Sequence, residues 1–417
     1  MCACWHLPRD RPIFMTGEGR FNCRAAHSLR KRLPLRKILQ LIPELDAGGA
    51  ERTTILVAEA VVKAGGVALV ASRGGRLEAE LTAVGGELIR LDMKSKNPFT
   101  IKSNADRLTK LVRERGVDII HARSRAPAWS GLEAARKTRI PFVTTYHGTY
   151  NARSGLKRFY NSVMARGDAV IANSHFIAEH VRTAHYKVLA SKRADLSHLH
   201  VIPRGVDLSL FDPALTGPLQ VSALRSVWLD GRDAPVILLP ARLTAWKGQS
   251  LAIEAVARLK DQRDGSLPVL VCAGDAQGRE GYAEALRQQA ASAGVALVLT
   301  GHLPDMATAY MAADIVINPS IEPEAFGRTL AEAMAMERPV IASAHGGPLE
   351  ILADGDSGWL FAPGNADDLA RRMRAVLALD DAARKMHGHL ARQRVIARYS
   401  REALQGSTLR VYRELLD

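Results

Sequence analysis

The chain has 417 residues, 47% of them apolar and only 5% aromatic, and a formal charge of +14. That length exceeds what one hydrophobic core usually serves and favours two domains of similar size. Residues 1–37 hold nine Lys or Arg against two acids and residues 153–193 hold eight against two, so nearly all the excess lies in a tail and one helical region. The near-neutral body, with no aromatic-basic platform, argues against a nucleic-acid protein.

The cysteines Cys2, Cys4, Cys23 and Cys272 are too few and too unevenly placed for a disulfide framework. Cys2-x-Cys4 lacks the spacer and second ligand pair of a zinc site, so no metal is expected. A reducing cytoplasm is the expected compartment. No apolar run is long enough to span a membrane, and the basic start lacks the apolar core of a secretory signal. Met15 is an internal methionine that could serve as an alternative beginning.

Residues 1–35 show no periodicity and are expected to form a disordered basic tail. Strand-like runs follow at Ile38 to Pro43, Val67 to Ser72, Glu87 to Leu91, Asp118 to Ala122, Phe142 to Tyr146, Ala169 to Ala172 and His200 to Ile202. Helical periodicity fills most of the gaps, which predicts right-handed crossovers and a mostly parallel sheet over residues 36–205. After a linker, the alternation restarts at Val236 to Leu239, Val269 to Cys272, Ala296 to Thr300, Ile315 to Asn318, Val340 to Ala342 and Trp359 to Phe361. This predicts a second doubly wound domain over residues 206–397, with a last helix in residues 398–417. Two such α/β domains face one another across a cleft, and ligands bind at the carboxyl ends of their strands.

The chemistry-bearing residues fall at those ends. Gly48 and Gly49 precede the first helix, where paired glycines admit a phosphate to the helix amino terminus; a tight turn is the bland alternative. His147 ends the strand Phe142 to Tyr146 and can donate to a hydroxyl or shuttle a proton; on spacing alone, a loop-anchoring role is favoured for it and for His121. Arg242 and Lys247 flank the loop after the first strand of the second domain, where two cations would attract a diphosphate or else remain solvated. Leu303 follows a turn whose backbone can read a nucleobase edge. Glu324 and Glu332, eight residues apart, place one acid in a loop and one about two turns into a helix, as acceptors for the hydroxyls of a polyol. Gly346-Gly347 opens another helix as a second anion-approach loop. No Gly-x-Ser-x-Gly elbow supports a serine nucleophile.

The stretch Glu324-Ala-Phe326-Gly327-Arg328-Thr-Leu-Ala-Glu332, with Arg242-x4-Lys247-Gly upstream and Gly346-Gly347-x-x-Glu350 downstream, resembles the Glu-x7-Glu motif of retaining GT-B glycosyltransferases of family 4. The resemblance runs from Ile38 to about Tyr399 and implies two Rossmann-like domains and a nucleotide-diphosphate sugar as co-substrate, with no cofactor. It implies that Glu332 holds the donor ribose and Glu324 the transferred sugar. The Gly327 and Arg328 amides, Arg242, Lys247 and the Gly49 backbone would face the diphosphate, with Phe326 inside the motif. His147 would sit over the sugar, Leu303 at the base, and Gly347 in the loop after the fifth strand.

The implied acceptor is a glycan or lipid-linked molecule, bound by the first domain. The basic stretch 153–193 would attract an anionic membrane surface, placing the protein at the inner face of the cytoplasmic membrane. The phrase Thr144 to Asn151 looks like lipopolysaccharide-type members and points to envelope synthesis. A UDP-sugar 2-epimerase of the same fold and a non-catalytic sugar-nucleotide or lipid-binding module are the rival readings.

Overall fold

The computed structural model describes residues 37–46, 48–150, 154–260 and 267–417. The expected disordered tail, residues 1–35, lies outside the described residues.

Most strands are buried on both faces, as parallel strands covered by helices must be. The first sheet comprises β1 (Lys37–Leu41), β2 (Val67–Ser72), β3 (Glu87–Arg90), β4 (Ile119–Ala122), β5 (Phe142–Tyr146), β6 (Ala169–Ala172) and β7 (Leu199–Val201). It is 7-stranded, in the order β3-β2-β1-β4-β5-β6-β7. The second comprises β8 (Val236–Pro240), β9 (Val269–Ala273), β10 (Leu297–Gly301), β11 (Ile315–Asn318), β12 (Val340–Ser343) and β13 (Trp359–Phe361). It is 6-stranded, in the order β10-β9-β8-β11-β12-β13. Every strand pair in both sheets is parallel.

The helices of the first half are α1 (Gly49–Lys63), α2 (Glu78–Ala83), α3 (Pro98–Arg115), α4 (Arg125–Thr138), α5 (Gly155–Ser162) and α6 (His175–Ala190). The second half adds α7 (Pro218–Leu229), α8 (Gln249–Ala257), α9 (Glu280–Ala293), α10 (Met306–Ala312), α11 (Arg328–Ala335), α12 (Pro348–Ile351), α13 (Ala366–Leu377), α14 (Asp381–Arg398) and α15 (Arg401–Leu416). Side-chain alternation along a strand divides each half into two core layers. Leu39 and Leu41 enter one cluster of the first half and Ile38 the other. Val236 and Leu238 are likewise separated from Ile237 and Leu239 in the second.

The strand order reverses direction where β1 meets β4 and where β8 meets β11, and in such sheets ligands bind at that point. The chain passes between the halves at Val206 and at Ser400, and the two crossings form a parallel bridge. Val206 N donates to Tyr399 O at 2.7 Å and Arg401 N to Val206 O at 2.9 Å. Beyond this seam α15 lies on α1, where Gln405 Nε2 donates to Leu56 O at 2.8 Å and Glu59 Oε2 at 2.9 Å. The last helix therefore packs on the first half although it follows the second in sequence.

Candidate active site

The loop after β11 and the start of α11 form the centre of the site. Gly327 caps α11 at φ 101°, in the left-handed region that glycine adopts without strain. This turn swings Glu324 and Glu332 inward, and both are buried. Glu324 Oε1 accepts from the Lys247 ammonium, from Ser320 Oγ and from Asn318 Nδ2 at 3.2 Å. Burial alone would raise the pKa of Glu324, but the Lys247 charge and these hydrogen bonds outweigh it and leave the carboxyl below its ordinary value.

Glu332 shows the opposite balance. Tyr310 Oη donates to it at 2.9 Å and Arg328 Nε lies 3.1 Å away. Burial nevertheless prevails and raises its pKa. The two acids of one motif are therefore tuned in opposite directions, with an ammonium beside only one of them.

Lys247 reaches Glu324 from the short 3₁₀ turn Ala245–Lys247, whereas Arg242 is exposed and donates to Gln277 Oε1 at 3.3 Å. These two cations thus engage different partners. The Phe326 ring is buried against Tyr399, with centroids 5.7 Å apart, which leaves its main chain as the part facing the loop. Gly347 N donates to Glu324 O at 2.8 Å, which ties the loop after β12 to the acid-bearing one. Leu303 is half-buried in the loop after β10, packed against the core.

In the first half, Gly48 caps α1, Gly49 is its first residue, and His147 follows β5. Both ring nitrogens of His147 are buried and have no hydrogen-bond partner among the described residues. Burial, with Arg204 and Arg123 adding to it, holds its pKa well below the ordinary histidine value, so the imidazole is neutral. His121 differs: its Nδ1 is paired with Tyr412 Oη at 2.6 Å and its Nε2 with Thr145 Oγ1 at 2.7 Å. It anchors the last helix to β4, whereas His147 retains two unused nitrogens. A separate cleft of about 800 Å³ is lined by Lys94, Lys96, Arg125, Tyr150 and Lys157, with Glu44 the one carboxylate among its described lining residues.

Two contacts between the halves escaped the sequence. The Glu350 carboxylate accepts from the His175 and Phe176 amides at 2.8 and 2.7 Å, closing the amino terminus of α6 from the opposite half. Ser174 Oγ donates to Ala325 O at 2.6 Å, inside the Glu324 to Glu332 stretch. Neither partner lies near the other in sequence, and the one sequence signal at Glu350 is the Gly-Gly-x-x-Glu pattern.

Two family models match the chain: one described as Glycosyltransferase Family 4 over residues 47–210, and one described as Glycosyl transferases group 1 over residues 222–393. Among solved structures, a glycosyltransferase from Rickettsia africae ESF-5 is 34% identical, with a TM-score of 0.82 over 92% of this chain and 99% of that one. Anabaena Alr3699/HepE, solved in complex with UDP-glucose, is 25% identical, with a TM-score of 0.73 over 91% of this chain and 99% of that one. The D-inositol 3-phosphate glycosyltransferase of Xylanimonas cellulosilytica is 31% identical over 58% of this chain and 59% of its own length. The matched region spans 59%, 64% and 62% of three such curated relatives. With two parallel-sheet halves carrying these loops at their strand ends, the chain belongs to the glycosyl transferases group 1, within glycosyltransferase family 4 and its GT-B fold.

Proposed function

We propose that the chain transfers a sugar from a nucleotide diphosphate to a hydroxyl of a glycan or lipid-linked acceptor, with retention of anomeric configuration. The observation that carries this reading is the pairing of Glu324 with Lys247 beside the α11 amino terminus, a carboxylate and a cation converging on one crevice. The UDP-glucose complex of the Anabaena neighbour supports a nucleotide sugar as donor.

In this reading Glu332 accepts from the donor ribose hydroxyls and Glu324 from those of the transferred sugar. Leu303 contributes backbone contacts to the base. Lys247, the Gly327 and Arg328 amides and the Gly48, Gly49 and Gly347 backbones face the diphosphate, with Arg242 at the outer edge. As the bond from the anomeric carbon to the phosphate oxygen breaks, its electron pair passes to the diphosphate, and fixed donors there lower the barrier. The acceptor oxygen bonds to the same face of that carbon, and its proton goes to the departing phosphate. His147, neutral and with two unused nitrogens, orients a sugar hydroxyl instead of carrying charge. The chemistry assigned to these residues needs no metal.

The acceptor enters by the cleft beside Tyr150. Incubating the full chain with labelled nucleotide sugars and a bacterial lipid-linked glycan extract, then reading the product anomer by NMR, tests the reading. A product with the donor's configuration supports it. An inverted product removes retention, and a sugar epimerised without acceptor supports the rival enzyme.

The envelope and membrane part of the reading rests on α5. Leu156 and Phe159 are 84% and 60% exposed there, beside Lys157 and Arg158. Apolar side chains flanked by cations suit the face of an anionic membrane, at about 1 kcal/mol per basic side chain. Vesicles of phosphatidylglycerol should bind the protein at low salt and release it at high salt, and Leu156→Ser with Phe159→Ser should abolish binding. Equal binding to neutral vesicles would contradict the electrostatic part.

A further inference from the structure

Arg204 stands just past β7, at the seam between the halves. Its guanidinium lies against the Gly48–Gly49 turn so closely that a Cβ on Gly49 would collide with Nη1. Among the described residues its one hydrogen bond is from Nη2 to His147 O at 3.4 Å, and its buried Nε has no partner. Glu51 and Glu324 act on it only through space, and none of the described carboxylates forms an ion pair with it.

A half-buried cation that forms no ion pair carries a desolvation cost, and an anion seated beside it would offset that cost. The surroundings make the cost greater still. Arg328 and Arg123 are positive neighbours, and the Arg123 guanidinium is itself satisfied by a neutral amide, Gln40 Oε1, at 2.8 Å from Nε. The amino terminus of α1, a helix of 15 residues starting at Gly49, adds the positive end of its dipole. Burial lowers the pKa of Arg204 to about 10, which still leaves it charged at neutral pH.

We propose that Arg204 is a further catalytic residue, contributed by the first half, whose guanidinium binds the diphosphate of the donor and stabilises its charge as the glycosidic oxygen departs. This rests on the nucleotide-sugar reading above. It gives the diphosphate cations from both halves, Lys247 and Arg328 on one side and Arg204 on the other, so that full charge compensation needs the halves closed. A planar fork offers two donors to one phosphate, which an ammonium does not.

The test is calorimetric titration of the full chain, wild type and Arg204→Ala, with UDP, GDP and ADP and with the matching nucleosides. The diphosphate that wild type binds should lose about 10- to 100-fold in affinity in the variant, the size of a hydrogen bond to a charged group, while the nucleoside is unaffected. Arg204→Lys should recover part of the loss, and it carries the test alone if Arg204→Ala does not fold. Diphosphate affinity unchanged in both variants, or reduced in proportion with that of the nucleoside, overturns the role of Arg204 alone. Wild type that binds none of the diphosphates overturns the donor reading and this inference with it.

Discussion

The Lys247–Glu324 pair offers the most quantitative prediction. The two side chains are 16% and 9% exposed, so each charge has little water to fall back on. Removing one partner of a buried pair costs about 3–5 kcal/mol, since the other is left uncompensated. Lys247→Met leaves Glu324 with Ser320 and Asn318 still donating to it, which places the expected loss near the lower end, about 3 kcal/mol. Glu324→Gln keeps an acceptor oxygen for Lys247 and should cost less.

With both changes made, no buried charge is left unpaired, so the double variant should be more stable than the sum of the single losses implies by about 1.5–3 kcal/mol. Urea denaturation at pH 7 of the four proteins closes the cycle. The pH dependence supplies the sign: because the folded-state pKa of Glu324 is depressed, its contribution is complete above the ordinary value of 4.5 and is lost as pH falls through the folded pKa. Single losses that add to within about 0.5 kcal/mol would refute the coupling on which the site assignment rests.

Glu350→Ala removes two carboxylate hydrogen bonds to the α6 amino terminus, so the halves should separate more readily. The donor KM should rise about tenfold, the size of one hydrogen bond to a charged group, and small-angle scattering should show a larger radius of gyration; unchanged values of both would contradict this role of Glu350. His147 and His121 are both held well below the ordinary value, chiefly by burial. The unfolded chain therefore binds protons that the folded one refuses, and stability should fall as pH drops below about 6.5. His147→Gln should flatten part of that slope, and equal slopes in the two proteins would mean that His147 does not titrate this way.

Every strand was legible in the sequence to within about two residues at its ends, because parallel strands covered on both faces must be apolar runs and because turn residues punctuate them. Five of them, Val67–Ser72, Phe142–Tyr146, Ala169–Ala172, Ile315–Asn318 and Trp359–Phe361, have the expected bounds. Glu324, Gly327 and Glu332 were legible as a local constellation because one loop and one helix carry all three. Contacts between distant segments were not. Spacing gives His121 and His147 the same standing, and what separates them is Tyr412, 291 residues from His121. Arg204 could not be placed from spacing, because the residues it touches, Gly49 and His147, belong to other strand ends. Phe326 lies inside the motif, yet its ring is directed by α14 and Tyr399 into the core. Spacing reports what one helix or loop can present, whereas the partner across the cleft is chosen by the fold.

The account stands on a nucleotide sugar seated between Glu332 and the diphosphate loops. Titration of UDP-, GDP- and ADP-sugars into the wild type and into Glu332→Gln measures this directly. One base should bind, and the variant should lose about tenfold or more of that affinity, as expected for a charged acceptor of ribose hydroxyls. A wild type that binds no sugar nucleotide, or a variant that binds it equally well, would contradict the central claim.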